Sequence, residues 1–235
     1  MCSIKSKRVA ILQSNYIPWR GYFDIIGLVD EFIIYDDSQF TKNDWRNRNK
    51  IKTRDGLKWL TVPVGIDIKR KIYEVEIRDS RWQLQHWEML HHNYRKADFY
   101  NEVSAIIAPL YLNKQYTNLS SLNLEIIKTI CDYLEIKTTI TDSRNYILDE
   151  GKTDRLVSLC RQSYANTYLT GPSAKNYIDE NKFKDSDIEI KWMNYENYPI
   201  YQQLWGDFVP QVSILDLLFN AGKFSRNYMK CSEKT

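Results

Sequence analysis

The run RVAILQ, residues 8–13, is apolar almost without interruption, a pattern suited to a strand buried on both faces of a parallel sheet. A polar turn, SNYIPWRG, follows it, then a short helical pattern, YFDIIGLVD, then a second apolar strand, EFIIYDD at 31–37. Strand, helix and strand in so short a span predict a βαβ unit. Its right-handed crossover brings the loops after both strands to one end of the sheet. Ligands of open α/β sheets bind at that end, so QSNYIP and DDSQF are expected to face each other across one crevice.

Further along, LKWLTVPV (57–64) and KIYEVEI (71–77) read as strands. A helix is predicted from about Trp82, with Trp82, Trp87, Leu90 and Tyr94 on one face. DFYNEVSAIIAPLYL and NLSSLNLEIIKTICDYLEI (118–136) have the spacing of amphipathic helices. TTIT reads as a strand, KTDRLVSLCRQSY as a helix, NTYLTG as a strand, SAKNYID as a helix start and DIEIKWMNY as a strand. VSILDLLFN closes the pattern as a helix, with Gly222 just beyond its end. The alternation predicts one α/β domain over 1–235, Rossmann-like with a mostly parallel sheet, and a helical region at about 82–136 as its insertion.

Composition narrows the function. With 43% hydrophobic and 27% charged residues the chain has the make-up of a soluble domain, and a net charge of +3 is too small to imply nucleic-acid binding. The aromatic content, with 17 Tyr and 7 Trp, suits interfaces and sugar clefts as well as cores. A single-strand nucleic-acid reading draws on interleaved aromatics and cations, but the cations cluster in one segment while acids nearly balance them elsewhere. Cys2, Cys131, Cys160 and Cys231 form no CxxC pair, and no histidine stands at ligand spacing from them, so no metal site is predicted. Reduced thiols, a five-residue N-terminal apolar run too short for a signal peptide and the lack of any membrane-span pattern predict a cytoplasmic protein.

The candidate chemistry gathers in YDDSQFTKNDWRNRNKIKT, residues 35–53. From Lys42 to Arg54 six cations, Lys42, Arg46, Arg48, Lys50, Lys52 and Arg54, alternate with Asn43, Asn47 and Asn49 against the single acid Asp44. Such a run is either a solvated loop or a grip for phosphate or pyrophosphate, which guanidinium forks bind bidentately. Asp36 and Asp37 should point to opposite sides, so one of them enters the crevice as a base or a sugar ligand, or else pairs with Arg46 or Arg48. Gln13, Tyr16, Asp36, Gln39, Trp45, Arg46, Asn47, Arg48, Asn49 and Lys52 form the expected substrate-binding set; Pro18 and Gly21 shape the turn. His86, in WQLQHWEML ahead of His91 and His92, is either a general acid–base or a hydrogen-bonded neighbour of the core. Asp37 and His86 are therefore the catalytic candidates. No GxSxG, P-loop, GxGxxG or HExxH motif is present.

At QSNYIPWRGYFDII, DDSQFTKNDWRNRNKIKT, WLTVPV, YLTGPSAKNYID and FVPQVSILDLLFNAG, blocks spanning nearly the whole chain, the sequence resembles the WbqC-like family. Members typically occur in bacterial gene clusters that build O-antigens and other surface polysaccharides. The resemblance implies a role in surface-glycan assembly and leaves the reaction open. The opening βαβ unit is also similar to the nucleotidyltransferase group that includes pantothenate synthetase, whose first loop carries HxGH. Here that stretch is WRGY, Trp19 to Tyr22, so both histidines are missing and nucleotidyl transfer by that route is lost.

The expectation is a transferase acting on a nucleotide-linked sugar, with acyl or aminoacyl transfer to a sugar amine. His86 or Asp37 would serve as base, and Asn47 or Asn49 would bind the oxyanion. A thioester, coenzyme A or an acyl carrier protein, would be the donor, with no tightly bound cofactor. The alternatives are a non-catalytic nucleotide- or sugar-binding accessory protein and a nucleotidyltransferase-like enzyme without HxGH.

Overall fold

In the computed structural model, residues 6–234 are described; Cys2 lies outside them. The chain opens with β1 (Arg8–Leu12), α1 (Arg20–Gly27) and β2 (Glu31–Ile34). β1 and β2 pair in parallel, Val9 opposite Glu31 and Leu12 opposite Ile34. Alternation then sorts the strand residues between two cores. Val9, Ile11 and Ile33 face one core; Ala10, Phe32 and Ile34 face the other. Phe32 is fully buried, which is worth about 1.5–3 kcal/mol relative to exposure.

The chain next forms a hairpin of β3 (Arg48–Thr53) and β4 (Gly56–Thr61), which pair antiparallel in a sheet of their own. The basic stretch is therefore half strand and not a loop, and β4 does not join the main sheet. KIYEVEI forms no strand either. It holds a 3-10 turn, Ile72–Glu74; Ile72 and Val75 just after it are buried, and the Glu74 carboxylate accepts from the Lys71 amide at 2.8 Å.

Helices α2 (Arg81–Tyr94) and α3 (Tyr100–Leu112) follow, then α4 (Leu119–Tyr133), whose Asn118 cap accepts from Ser121 N at 3.0 Å. On α2 the side chains of Trp82, Leu90 and Tyr94 are buried, while Trp87 is only half-buried. α4 ends the long connection from β2 to β5 (Thr139–Asp142), a parallel neighbour of β2. α5 (Lys152–Gln162), β6 (Thr167–Thr170), α6 (Glu180–Lys184) and β7 (Glu189–Trp192) complete the layers. SAKNYID, read as a helix start, is a 3-10 turn over Pro172–Asn176.

The five main strands stand in the order β5-β2-β1-β6-β7, all parallel. The chain winds outward from β1 through β2 to β5, then returns past β1 to β6 and β7. α1 and α4 bury their apolar faces in one core, α5 and α6 in the other. This is a doubly wound sheet, and its switch point falls between β1 and β6.

Helix α7 (Ile214–Ala221) brings the C-terminal region back to the first core. Its approach is fastened to β3 and to the β1–α1 loop: Ser213 N donates to Lys50 O and Ile214 N to Pro18 O, both at 2.8 Å. Asp216, buried, accepts from Tyr94, Tyr201 and Gln203, each at 2.8 Å. Burial raises this carboxyl above its ordinary range. Among the described residues no helix is long and apolar enough to cross a membrane.

Candidate functional site

The carboxyl ends of β1, β2 and β6 enclose a crevice of about 480 Å³. Gln13 enters it from β1, Tyr35, Asp37 and Ser38 from the end of β2, and Tyr168 from β6. Lys152 and Arg155 enter from the first turn of α5, and Tyr177 and Gln39 close the rim. Gly151 leads into that helix at φ 92°, where an added Cβ would stand 2.4 Å from Asp154 Oδ2, so this sharp entry requires glycine. A helix N-terminus favours anions, and cations in a first turn run against the dipole unless an anion joins them. Arg155 is held toward Tyr35, Nε donating to Asp149 O at 2.7 Å. The Tyr35 hydroxyl beside it raises its pKa. Among the described residues neither Lys152 nor Arg155 is in an ion pair.

The two aspartates do point to opposite sides, although both lie in the turn beyond the end of β2 and not in the strand. Asp37 lines the crevice and pairs with Lys71, whose pKa it raises. Asp36 is fully buried on the other face. It accepts from Ser14 N and Ser14 Oγ, each at 2.7 Å, and from Ser120 Oγ. Burial raises its carboxyl, and it is withdrawn from any ligand. The two polar loops are thus stitched together: Gln13 Nε2 donates to Ser38 Oγ at 2.8 Å.

Arg46 does converge on the end of β1. Its guanidinium donates to Asn15 Oδ1 at 2.7 Å and to Gln13 Oε1, and stands 3.9 Å from Asp44. Neither Asp36 nor Asp37 pairs with it. Arg48 goes elsewhere, 4.2 Å from the centre of the Trp59 ring, with Lys50 Nζ at 4.9 Å from the same ring.

Several sequence candidates are consumed by the fold. Asn47 Nδ2 donates to Val62 O at 3.0 Å, and Asn49 Nδ2 to Ile17 O at 2.9 Å and Tyr16 O at 3.3 Å. Both amides are buried. They shape backbone and present no oxyanion hole. Lys52, also buried, donates to Gln203 Oε1 at 2.8 Å and to Asp207 O. Tyr16 is enclosed, its hydroxyl 2.8 Å from His86 Nδ1 and 2.7 Å from Tyr111 Oη. Burial depresses the His86 imidazole to about 4. His86 is the core histidine of the two alternatives, remote in role from the crevice. Gln39 is exposed, its amide donating to Ile68 O at 3.1 Å.

Across the Gln13–Arg46–Asn15 clasp lies a second hollow of about 320 Å³, walled by Pro18, Trp19, Trp45, Pro210 and Val212 with Asn15, Asn49 and Gln211. Its floor loop holds Ile17 at φ 39°, a conformation costing a β-branched residue about 1–3 kcal/mol. The Asn49 amide and the Ile214 N–H fix that loop from both sides.

A model of the WbqC-like protein family matches residues 13–228, from the first crevice amide to beyond α7. The chain belongs to that family. This WbqC-like protein is also 52% identical over 226 residues to the uncharacterized protein Rv1507c of Mycobacterium tuberculosis (strain ATCC 25618 / H37Rv), covering 95% of this chain and 98% of that one. No solved structure matches it. The WbqC-like sequence blocks map onto the hollows unevenly. QSNYIPWRG and DDSQFTKNDW supply Gln13, Asp37, Asn15 and Trp45, but Lys152, Arg155 and the crevice face of Tyr35 were not among the sequence candidates. The signal for them was present: cations on either side of Asp154 at the start of a helix, where dipole electrostatics favours acids.

Proposed function

We propose that this WbqC-like protein binds a phosphate-bearing sugar precursor, a nucleotide-linked sugar, in the crevice and acts on it as a transferase in surface-glycan assembly. The observation that carries the reading is the pair Lys152 and Arg155, free of ion pairs among the described residues, at a helix start on the switch-point side of a doubly wound sheet. A phosphate or pyrophosphate fits these cations, and the amides of Gln13 and Gln39, each with hydrogen-bonding capacity left beyond the contacts to Ser38, Arg46 and Ile68, suit sugar hydroxyls. The gene-cluster setting typical of the family supplies the glycan context.

The transfer is that of an acyl or aminoacyl group to a sugar amine. The amine nitrogen attacks a thioester carbonyl carbon, the C–N bond forms and the C–S bond breaks. The nitrogen gives up one proton to Asp37, which returns it to the departing thiolate, so amide and free thiol are the products. Coenzyme A or an acyl carrier protein would provide the thioester.

Calorimetric titration with UDP-N-acetylglucosamine and its 4-amino-4,6-dideoxy analogue tests the site. Arg155→Ala is expected to weaken binding by about tenfold, the loss of one charge-assisted contact. Asp37→Asn is expected to keep affinity and lose turnover. No heat from a panel of sugar nucleotides, or affinity indifferent to Arg155→Ala, would sink the reading. One observation favours a non-catalytic binder: with His86 in the core, no imidazole reaches the crevice. Binding without product across a panel of thioester donors would establish that alternative.

A further inference from the structure

We infer that the hollow beneath Trp45 is a donor subsite, taking an uncharged apolar acyl group carried on a phosphate-bearing thioester arm. The inference rests on the transfer reading only for the word donor; the ligand chemistry comes from the hollow itself. Its walls are two indoles, two prolines and a valine, and among the described residues no ionisable side chain lines it. The amide of Asn49 is used up on backbone carbonyls and the oxygen of Asn15 is taken by Arg46, which leaves the Asn15 Nδ2 and the Gln211 amide as the polar groups of the slot. Small-molecule sites combine such an apolar interior with a few polar groups, and 320 Å³ lies at the small end of their range.

Charge lies outside the slot, one aromatic contact away. The Trp45 indole, 44% exposed, meets Trp59 with ring centres 5.6 Å apart. Arg48 and Lys50 lie over that second ring, neither in an ion pair among the described residues. An apolar slot with a cationic aromatic lip complements a neutral acyl end joined to an anionic handle. Position supports the pairing with the crevice. Asn15 lines the slot and Gln13 lines the crevice, and one guanidinium, that of Arg46, grips both.

Titration calorimetry with coenzyme A, butyryl-coenzyme A and malonyl-coenzyme A tests this on the intact protein. Butyryl-coenzyme A is expected to bind at least about tenfold tighter than coenzyme A, the effect of burying two or more methylenes. Malonyl-coenzyme A, with its charged acyl end, is expected to gain nothing. Trp45→Ala should cut the butyryl advantage to threefold or less, and since that indole is half-exposed the fold should survive, as an unchanged melting curve would show. The double variant Arg48→Ala, Lys50→Ala should weaken coenzyme A and butyryl-coenzyme A by the same factor, leaving their ratio intact.

No measurable binding of butyryl-coenzyme A, equal affinity for it and coenzyme A, or a ratio untouched by Trp45→Ala would each overturn the inference. Butyryl-4′-phosphopantetheine separates the two sources of the arm. Affinity equal to that of butyryl-coenzyme A points to a carrier-bound arm and weaker affinity to coenzyme A, and either leaves the subsite standing. Sugar-nucleotide titrations of the same samples report on the crevice alone, so failure of one hollow is read separately from failure of the other.

Discussion

His86 offers a sharp test of the structure, because the sequence alone leaves it between catalyst and core. The imidazole is 7% exposed and packs among Tyr16, Trp82 and Tyr111. Burial holds its pKa at about 4, against an ordinary 6.5, with the Thr61 backbone pulling weakly the other way. A neutral ring accepting at Nδ1 from the Tyr16 hydroxyl satisfies that contact, and Tyr111 can then donate to Tyr16. Protonation would set an N–H against that hydroxyl and put a charge in an apolar shell.

The sign follows from linkage. A basic group whose folded pKa is depressed stabilises the fold above its unfolded value, and that contribution is lost as pH falls through the window from 6.5 to about 4. Integrating across it gives a loss of about 2 kcal/mol between pH 7 and 5, and about 3 kcal/mol by pH 4. Urea denaturation of the protein and of His86→Gln at stepped pH isolates the effect, because the glutamine variant lacks the titration while sharing every other group. The difference between the two should shrink by that amount on acidification. An imidazole signal titrating at 6 or above by NMR, or a pH-independent difference, would refute the burial argument. Affinity for crevice ligands should be unaffected at neutral pH.

Asp36→Ala removes the acceptor from Ser14 N, Ser14 Oγ and Ser120 Oγ; a loss of about 2–4 kcal/mol is expected in chemical denaturation. The acid itself has the opposite pH sign to His86. Its raised folded pKa means that stability falls as pH rises from the unfolded value, about 3.9, through the folded one, and Asp36→Asn should abolish that slope. Arg46→Ala leaves Gln13 Oε1 and Asn15 Oδ1 without their donor. It should cost about 1–3 kcal/mol and weaken ligands of both hollows in the same titrations. In Gly21→Ala the new Cβ would stand 2.4 Å from the Trp19 ring, which Tyr195 and Tyr198 confine at centre distances of 5.1 and 5.8 Å. Overpacking of about 1–3 kcal/mol is expected, with a shift in tryptophan emission as that wall of the slot moves.

The centre of the parallel sheet was legible because β1, β2 and β6 are buried on both faces, which leaves short, continuously apolar runs. β1 and β2 fall inside the runs RVAILQ and EFIIYDD. β3 was not legible. RNKIKT contains only two strand formers, Ile51 and Thr53, among cations and an amide, and its extended form is set by pairing with β4 and by Asn49 reaching the β1–α1 loop. KIYEVEI failed in the other direction: its alternation is local, but with no partner strand the segment makes a 3-10 turn and two isolated bridges, Gln39 to Lys71 and Glu76 to Asn118. Within the site, the divergence of Asp36 and Asp37 matches the expectation from alternation but is set by the turn after β2, and the withdrawal of Tyr16, Asn47, Asn49 and Lys52 depends on contacts from 15 to more than 150 residues away.

The basic stretch therefore divides its work by depth. Asn47, Asn49 and Lys52 are buried and consumed by backbone and by the segment leading to α7, and Arg46 is consumed by the clasp between the hollows. Arg48 and Lys50 remain at the lip, and the cations of the crevice come from α5, more than a hundred residues later. Loop shaping and anion recognition are thus assigned to different segments, so they should separate under mutation. Changes at 46–52 that reach buried side chains should move the melting curve and both hollows together. Changes at Lys152 or Arg155, one exposed and one half-buried, should move crevice affinity alone. Coupled loss of stability at Lys152 and Arg155 would mean that α5 needs its cations for folding, and the case for an anion there would fall with it.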